Sequence, residues 1–256
     1  MTSIVITMAG LGKRFRDAGY DCPKYCIEVH GKTLFAWSMI SLRDFIKEGA
    51  EFLFVCRNED DATAFIQREC AALGIRRHRI VGLDYLTDGQ ATSAMLAGAA
   101  IADASEDFLI YNIDTFVDPR HLHRSDIRGA GWIPCFRGEG EGWSFARTDA
   151  DGRVVELREK QRISPFATLG LYWFASFERY RKAYEEYYRD ARRMERGEKY
   201  VAPLYNDLIG SGEPVYIHEV PVQAVIPLGT PAEVDRFRSQ DPSALLALFT
   251  RAAGGH

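Results

Sequence analysis

The sequence lacks three things: an apolar run long enough to span a bilayer, an excess of positive charge, and a cysteine pattern that could build a metal site or a disulfide framework. The first apolar stretch, Ile4-Val5-Ile6-Thr7-Met8, is much shorter than the apolar region of a signal peptide, and no stretch of about 18 apolar residues follows it. Membrane insertion is therefore not expected, and a cytoplasmic location is. With 32 basic against 36 acidic residues, a formal charge of -4, there is no basic field for a polyanion. Nucleic acid is thus not an expected partner, and any phosphate the protein binds must be held by a few local cations. The five cysteines, Cys22, Cys26, Cys56, Cys70 and Cys135, are odd in number and lack paired ligand spacing, as in a reducing compartment. The six histidines show no ligand spacing either.

What is present is an ordinary globular composition: 256 residues, 46% hydrophobic and 27% charged, enough to bury a full core. Up to about residue 115, strand-like runs (Ile4 to Met8, Glu51 to Cys56, Arg79 to Val81, Phe108 to Ile113) alternate with helical patterns (Leu34 to Ile46, Asp60 to Leu73, Thr92 to Ile101). Such alternation predicts a mainly parallel sheet with crossover helices on both faces, and ligands in such sheets bind beyond the carboxyl ends of the strands. After Gly131 the rhythm changes. Trp143 to Thr148 and Arg153 to Arg158 read as a hairpin joined by Asp149-Ala150-Asp151-Gly152, followed by a strand from Thr168 to Phe174 and a long helix from Phe177 to about Arg196. A helix near Pro203 to Ile209 and a strand from Val215 to Val220 come next. No linker or repeat divides the chain, so residues 1–256 read as one domain, with 1–130 a nucleotide half and 131–256 an acceptor half. Tyr180, Tyr184 and Tyr187 or Tyr188 recur at helical spacing. Such a stripe packs against the core or a neighbouring subunit, which makes a homo-oligomer an open expectation.

The first chemistry-bearing motif is Met8-Ala9-Gly10-Leu11-Gly12-Lys13-Arg14-Phe15, a glycine turn directly after the first strand, with Pro23-Lys24 shortly beyond. Glycines let backbone amides approach phosphates, and Lys13, Arg14 and Lys24 bring positive charge to the same place. A tight strand-to-helix turn with solvated basic residues would have the same pattern. Leu86-Thr87-Asp88-Gly89-Gln90-Ala91-Thr92 offers in Gln90 both a donor and an acceptor, as the polar edge of a nucleobase requires; a helix cap by Thr87, Asp88 or Thr92 is the alternative. The strand Phe108 to Ile113 ends on Asp114, where a carboxylate can hold a hard cation or cap a turn.

Taken in order, these motifs resemble the sugar-phosphate nucleotidyltransferase superfamily, whose members begin with a strand, a G-x-G-x-R loop and a P-K motif. The Ala-Gly-Leu-Gly loop, the Thr87-Asp88-Gly89-Gln90-Ala91 segment and Gly229-Thr230-Pro231 look most like the subgroup encoded with capsule and surface-polysaccharide genes. The resemblance implies a Rossmann-like, GT-A-like α/β fold with a mixed, mainly parallel central sheet. It implies an enzyme that joins an NTP to a phosphorylated sugar or other small phosphorylated acceptor with Mg²⁺, releasing pyrophosphate. By position it makes Arg14 and Lys24 triphosphate contacts, with Ala9, Gly10, Leu11, Gly12 and Lys13 lining the nucleotide. Gly89 and Gln90 read the base, Asp114 holds the metal, and Glu159, Lys160 and Gly170 face the acceptor.

One position departs from the pattern. The family's terminal D-x-G-T-P carries the second metal aspartate, and this chain has Pro227 there, which offers no side-chain oxygen. Asp114 is then expected to be the only protein carboxylate on the ion, with Glu219 the acid that could reach in from its strand. Two rival readings remain: a GT-A-type glycosyltransferase that consumes a nucleotide sugar, for which Asn112-Ile113-Asp114 loosely resembles a D-x-D, and a non-catalytic nucleotide-binding module.

Overall fold

The computed structural model describes residues 1–250, and its organising element is a ten-stranded mixed sheet. The chain enters through β1 (Ser3–Thr7), turns through the short helix α1 (Lys13–Asp17), and forms a small hairpin of β2 (Glu28–Val29) and β3 (Lys32–Thr33). Helix α2 (Leu34–Ile40) is buried along its whole length, and its start is fixed by the Thr33 hydroxyl, which accepts the Ala36 amide at 3.0 Å. Then come α3 (Arg43–Lys47), β4 (Glu51–Arg57), α4 (Thr63–Leu73), β5 (His78–Leu83), α5 (Gln90–Ala97), β6 (Phe108–Asn112) and β7 (Thr115–Val117). Strands β5, β4, β1 and β6 lie side by side, all parallel.

Alternation along these strands explains their near-continuous apolar sequences. Ile4, Ile6, Phe52, Phe54, Leu109 and Tyr111 pack into one core cluster, while Val5, Leu53, Val55, Phe108 and Ile110 pack into another. A strand covered on both faces must be apolar at every position. Each such side chain contributes on the order of 1.5–3 kcal/mol on burial.

The second half adds β8 (Gly131–Arg137), β9 (Ser144–Thr148), β10 (Val154–Glu159), β11 (Phe166–Thr168) and β12 (Leu171–Phe174). It continues with α6 (Phe177–Tyr187), α7 (Tyr205–Gly210), β13 (Val215–Glu219), β14 (Val225–Pro227), α8 (Pro231–Arg238) and α9 (Ser243–Thr250). Strand β12 runs antiparallel to β6 and carries the sheet onward to β8, which also takes β13 in parallel. The expected hairpin is present as β9 and β10.

Four features differ from the sequence reading. The single helix expected from Leu34 to Ile46 is two, α2 and α3, divided at Ser41-Leu42. Strand β8 is absent from the sequence reading and carries Pro134 in its interior, a residue that is uncommon inside a paired strand. The anticipated strand from Thr168 to Phe174 is split at Gly170 (φ 84°) into β11 and β12. Helix α6 stops at Tyr187 rather than near Arg196; after the Asp190 side chain caps a single 3-10 turn, Arg196 (φ 53°) and Gly197 (φ 80°) make a tight reversal. Glu195 and Glu198 close that reversal by exchanging two main-chain hydrogen bonds of 3.0 Å. Among the described residues, no helix is long and apolar enough to cross a membrane.

Candidate active site

Beyond the carboxyl ends of the parallel strands lies a cavity of about 530 Å³, within the range of small-molecule sites. Three sequence-distant loops meet in it, as expected from motif placement: Met8 to Lys13 after β1, Leu86 to Gln90 ahead of α5, and Asn112 to Asp114 after β6. Thr7, Lys24, Ser93 and Glu198 complete its wall.

The loop after β1 turns on Gly12, whose φ of 61° lies in the left-handed region where a side chain is disfavoured. The Gly12 carbonyl accepts the Phe15 and Arg16 amides, so α1 starts there. Ala9, Gly10, Leu11, Gly12 and Lys13 all line the cavity, whereas Arg14 is exposed on α1 and does not. Leu11 and Leu86, both exposed apolar side chains, stand at the cavity wall and present apolar surface to whatever enters.

Lys24 follows Pro23 on a single 3-10 turn and points its ammonium at Asp114, Nζ to Oδ2 2.7 Å. Both side chains are about a quarter exposed, at 22% and 26%, so the pair faces the cavity rather than the core. Asp114 is held from behind, since its carbonyl accepts the Leu228 amide at 2.8 Å. Pro227 pairs with Thr115 across the β14–β7 ladder, next to this bond. The adjoining Gly229 leaves room over the carboxylate: a Cβ there would stand 3.3 Å from Asp114 Oδ2 and 3.7 Å from Glu233 Oε2. Glu233 comes from the first turn of α8, where its amide donates to the Thr230 hydroxyl at 3.3 Å. Glu219 is engaged elsewhere, accepting from Arg137 Nε at 2.7 Å, and is absent from the cavity wall.

Gln90 ties strand ends together. Its Nε2 donates to Thr7 Oγ1 at 3.0 Å and to Asn112 Oδ1, bridging β1 and β6. Asn112 in turn fills the space against Gly170, where a Cβ would come within 2.3 Å of Asn112 Nδ2. Gly89, at φ 135°, starts α5 without any side-chain cap, so Thr87, Asp88 and Thr92 do not play the capping role open to them. A Cβ on Gly89 would sit 2.4 Å from the Lys199 carbonyl oxygen. Asp88 instead pairs with Lys199 at 2.9 Å. Partial burial opposes its charged form, but hydrogen bonds from Thr92 and Lys199 prevail and hold the carboxyl below its usual range.

Glu159 ends β10 and Lys160 follows it; neither residue lines the cavity, and nor does Gly170. The Glu159 carboxylate is almost fully buried and accepts from the Ser144 hydroxyl; burial pushes its pKa up despite that bond and the nearby Lys160. Lys160, at φ 51°, donates to the Tyr200 hydroxyl and lies over that ring, 4.5 Å from its centroid. Sequence reasoning missed Glu198, Lys199, Tyr200 and Glu233. Nothing in a lone acidic-basic-aromatic stretch after a charged helix, or in a glutamate of a helix's first turn, marks it as part of a site.

No protein-family profile matches the chain, and no curated protein does. Solved structures do. A nucleoside-diphosphate-sugar pyrophosphorylase from Vibrio cholerae RC9 superposes with a TM-score of 0.87 at 37% identity, over 93% of this chain and 100% of that one. The inositol-1-phosphate CTP transferase from T. maritima shares the fold, with a TM-score of 0.74 at 17% identity over 100% of this chain and 97% of that one. Near-complete coverage at that first level of identity, on a mixed, mainly parallel sheet whose strand ends gather the glycine loop, Lys24 and Asp114, leads to one conclusion: this chain belongs to the sugar nucleotidyltransferase superfamily.

Proposed function

We propose that the chain joins the nucleoside monophosphate of an NTP to a phosphate oxygen of a small phosphorylated acceptor and releases pyrophosphate. The observation that carries this reading is the Lys24–Asp114 pair, set into a cavity walled by the glycine loop on one side and by Gly89 and Gln90 on another. A glycosyltransferase bringing an already joined diphosphate has no need of a cationic loop after β1 in this form.

In the proposed reaction an acceptor phosphate oxygen forms a bond to the α-phosphorus as the bond from that phosphorus to the bridging oxygen of pyrophosphate breaks. A phosphate monoester with a second pKa of about 6 is already mostly dianionic at neutral pH, so no general base is needed. The protein's work is then positioning and neutralisation of charge. Lys24 steadies the reacting phosphate, Arg14 reaches the departing pyrophosphate from the rim, and the amides of Ala9 to Lys13 cradle the triphosphate. Gly89 and Gln90 meet the base edge, with Leu11 and Leu86 offering apolar surface to its faces. Glu159, Lys160 and Gly170 belong to the acceptor side. Residues 1–130 supply the nucleotide half of this division and 131–256 the acceptor half, within one domain.

The donor set suits Mg²⁺. Asp114 already draws a cation, the Lys24 ammonium, and Gly229 keeps clear the space that the Asp114 and Glu233 oxygens border. Mg²⁺ favours one or two carboxylates together with substrate phosphates and waters. Asp114 would hold it, with Glu233 the other carboxylate bordering that space in the absence of an aspartate at Pro227. Bound there, the ion would offset triphosphate charge. The capsule-like Ala-Gly-Leu-Gly, Thr-Asp-Gly-Gln-Ala and Gly-Thr-Pro motifs support a role in supplying surface-polysaccharide precursors.

A pyrophosphate-release screen of four NTPs against sugar 1-phosphates, polyol phosphates, phosphocholine and phosphonates tests the reading. Release with one NTP–acceptor pair is expected. Tight NTP binding without turnover across the whole panel would favour a binding module, and turnover of a finished nucleotide sugar would favour a glycosyltransferase.

A further inference from the structure

The segment Glu198-Lys199-Tyr200 runs from the cavity wall to Lys160, and its three neighbouring residues do three different things. Glu198 lines the cavity wall. Lys199 grips the loop that leads into α5: its amide donates to the Asp88 carbonyl at 2.7 Å and its carbonyl accepts the Ala91 amide at 3.1 Å. Its ammonium pairs with Asp88 Oδ2 at 2.9 Å and donates to the Tyr184 hydroxyl at 3.2 Å. Gly89 permits this approach, because a Cβ there would stand 2.4 Å from the Lys199 oxygen and 2.6 Å from its nitrogen.

Tyr200 turns the other way. Its hydroxyl accepts from Lys160 Nζ and its ring lies under the same ammonium, 4.5 Å from the centroid. Its carbonyl accepts the Tyr188 hydroxyl at 2.7 Å, which anchors the segment to the chain following α6. Burial, and after it the Glu198 carboxylate, keep the Tyr200 hydroxyl protonated well above its ordinary range, so it stays a neutral partner for an ammonium. The Arg196–Gly197 reversal, closed by the Glu195–Glu198 bonds, sets where the segment begins. A long flexible lysine gains a defined position when one group bonds its ammonium and a ring backs it.

We propose that Tyr200 is the positioning residue of Lys160 and that Lys199, beside it, fixes that position relative to the Asp88–Gly89–Gln90 loop, so that the acceptor lysine and the base-facing loop are set as one unit. The inference rests on the reading of Lys160 as an acceptor contact. Its physical content, the placement of one ammonium by a distant segment, can be measured without turnover.

The test uses the full chain carrying ¹³C-dimethylated lysines, with the Lys160 resonance identified by its loss in Lys160→Arg. In the unsubstituted protein that resonance is expected upfield, under the Tyr200 ring. In Tyr200→Phe, which keeps the ring and removes the hydroxyl, it is expected to move toward the position of an exposed lysine. In Lys199→Met, which keeps the stem and removes the pair with Asp88, it is expected to move in the same direction by a smaller amount. An unmoved resonance in Tyr200→Phe overturns the positioning role, and an unmoved resonance in Lys199→Met overturns the link to the loop.

Kinetics supply an independent readout. Tyr200→Phe is expected to raise the acceptor KM about tenfold while the NTP KM stays unchanged, as loss of one hydrogen bond to a charged group does. It is expected to add nothing further in a Lys160→Ala background. Equal effects on both KM values, or additive losses in the double variant, overturn the proposal. Absence of pyrophosphate release from the unsubstituted enzyme would instead overturn the functional reading and leave the resonance result standing.

Discussion

The residues proposed to meet the nucleotide and those proposed to meet the acceptor are held on different principles. The nucleotide side comes from loops that each adjoin a parallel strand, so local sequence and position coincide: the glycine turn after β1, Asp114 after β6, and the Gly89–Gln90 loop between β5 and α5. The residues proposed for the acceptor lie outside the cavity wall and come from pieces far apart in the chain, Glu159-Lys160 at and just after the end of β10, Gly170 between β11 and β12, and Tyr200 in the return segment after α6. A parallel sheet sends all its carboxyl ends the same way and so gathers motifs without help. An antiparallel addition has no common end, and its functional groups must be held by particular side-chain contacts. The nucleotide side should therefore fail by loss of charge, and the acceptor side by loss of placement.

The sharpest contrast is expected at Asp114. Asp114→Asn removes the carboxylate that Lys24 faces and that would hold Mg²⁺, and turnover is expected to fall on the order of a thousandfold with the fold intact. Mn²⁺ titration followed by electron paramagnetic resonance, with NTP present, should show the same variant losing the ion and Glu219→Gln retaining it. Equal losses in both variants would place a carboxylate outside the cavity on the metal.

Next in size is the phosphate clamp. Sequence alone makes Arg14 and Lys24 equal partners, whereas the structure sets only Lys24 in the cavity wall. Lys24→Ala is expected to cost about a hundredfold in turnover, and Arg14→Ala about tenfold, because a cation reaching in from the rim contributes less. Steady-state rates alongside thermal unfolding curves would measure both. A larger loss at Arg14 than at Lys24 would reverse the assignment.

Gly89 separates charge from placement. Gly89→Ala places a Cβ against the Lys199 backbone at a φ of 135°, and is expected to destabilise the fold by about 2 kcal/mol. Urea unfolding would give the value. Unchanged stability would mean that the Lys199 segment is free to withdraw.

Gln90→Ala is expected to have a smaller effect, lowering the ratio of kcat/KM between the preferred and the next NTP about tenfold. Because Gln90 also bridges Thr7 and Asn112, a stability loss of about 1 kcal/mol should accompany it. An unchanged ratio with the same stability loss would make Gln90 a brace between β1 and β6 and nothing more.

The smallest expected effect lies at Glu159. Burial raises its folded-state pKa above the ordinary 4.5, so the folded state holds the proton more tightly than the unfolded state. The stabilisation this gives is present below about pH 4.5 and is lost as pH rises through the folded-state pKa. Glu159→Gln should flatten that decline. Thermal midpoints across the interval would read it, and an identical slope in the variant would assign the decline to other groups.

Much of the cavity wall is legible in the sequence, because its signals are local. A strand followed by a glycine turn has few ways to fold, and a carboxylate ending an apolar run lands at a sheet edge wherever the strand pairs. The apolar runs of β1, β4 and β6 likewise announce strands covered on both faces. Periodicity also locates β9, β10 and β13 to within a few residues. It does not reveal β8, where Pro134 disguises a strand that pairs along both edges.

Tertiary structure decided the rest. It set Lys24 against Asp114 across 90 residues of sequence, and it left Arg14 out of the cavity wall. The Gly229 opening onto Glu233 and the grip of Lys199 on the Gly89 loop are also its choices, as is the placement of Tyr200 under Lys160. The sequence by itself determined which segments become strands and where backbone amides and charges end each one, since these follow from residue type and local order. Which charges meet depends on strand order, on the early end of α6 and on the Arg196–Gly197 reversal, and these are fixed by long-range packing that no window of sequence contains.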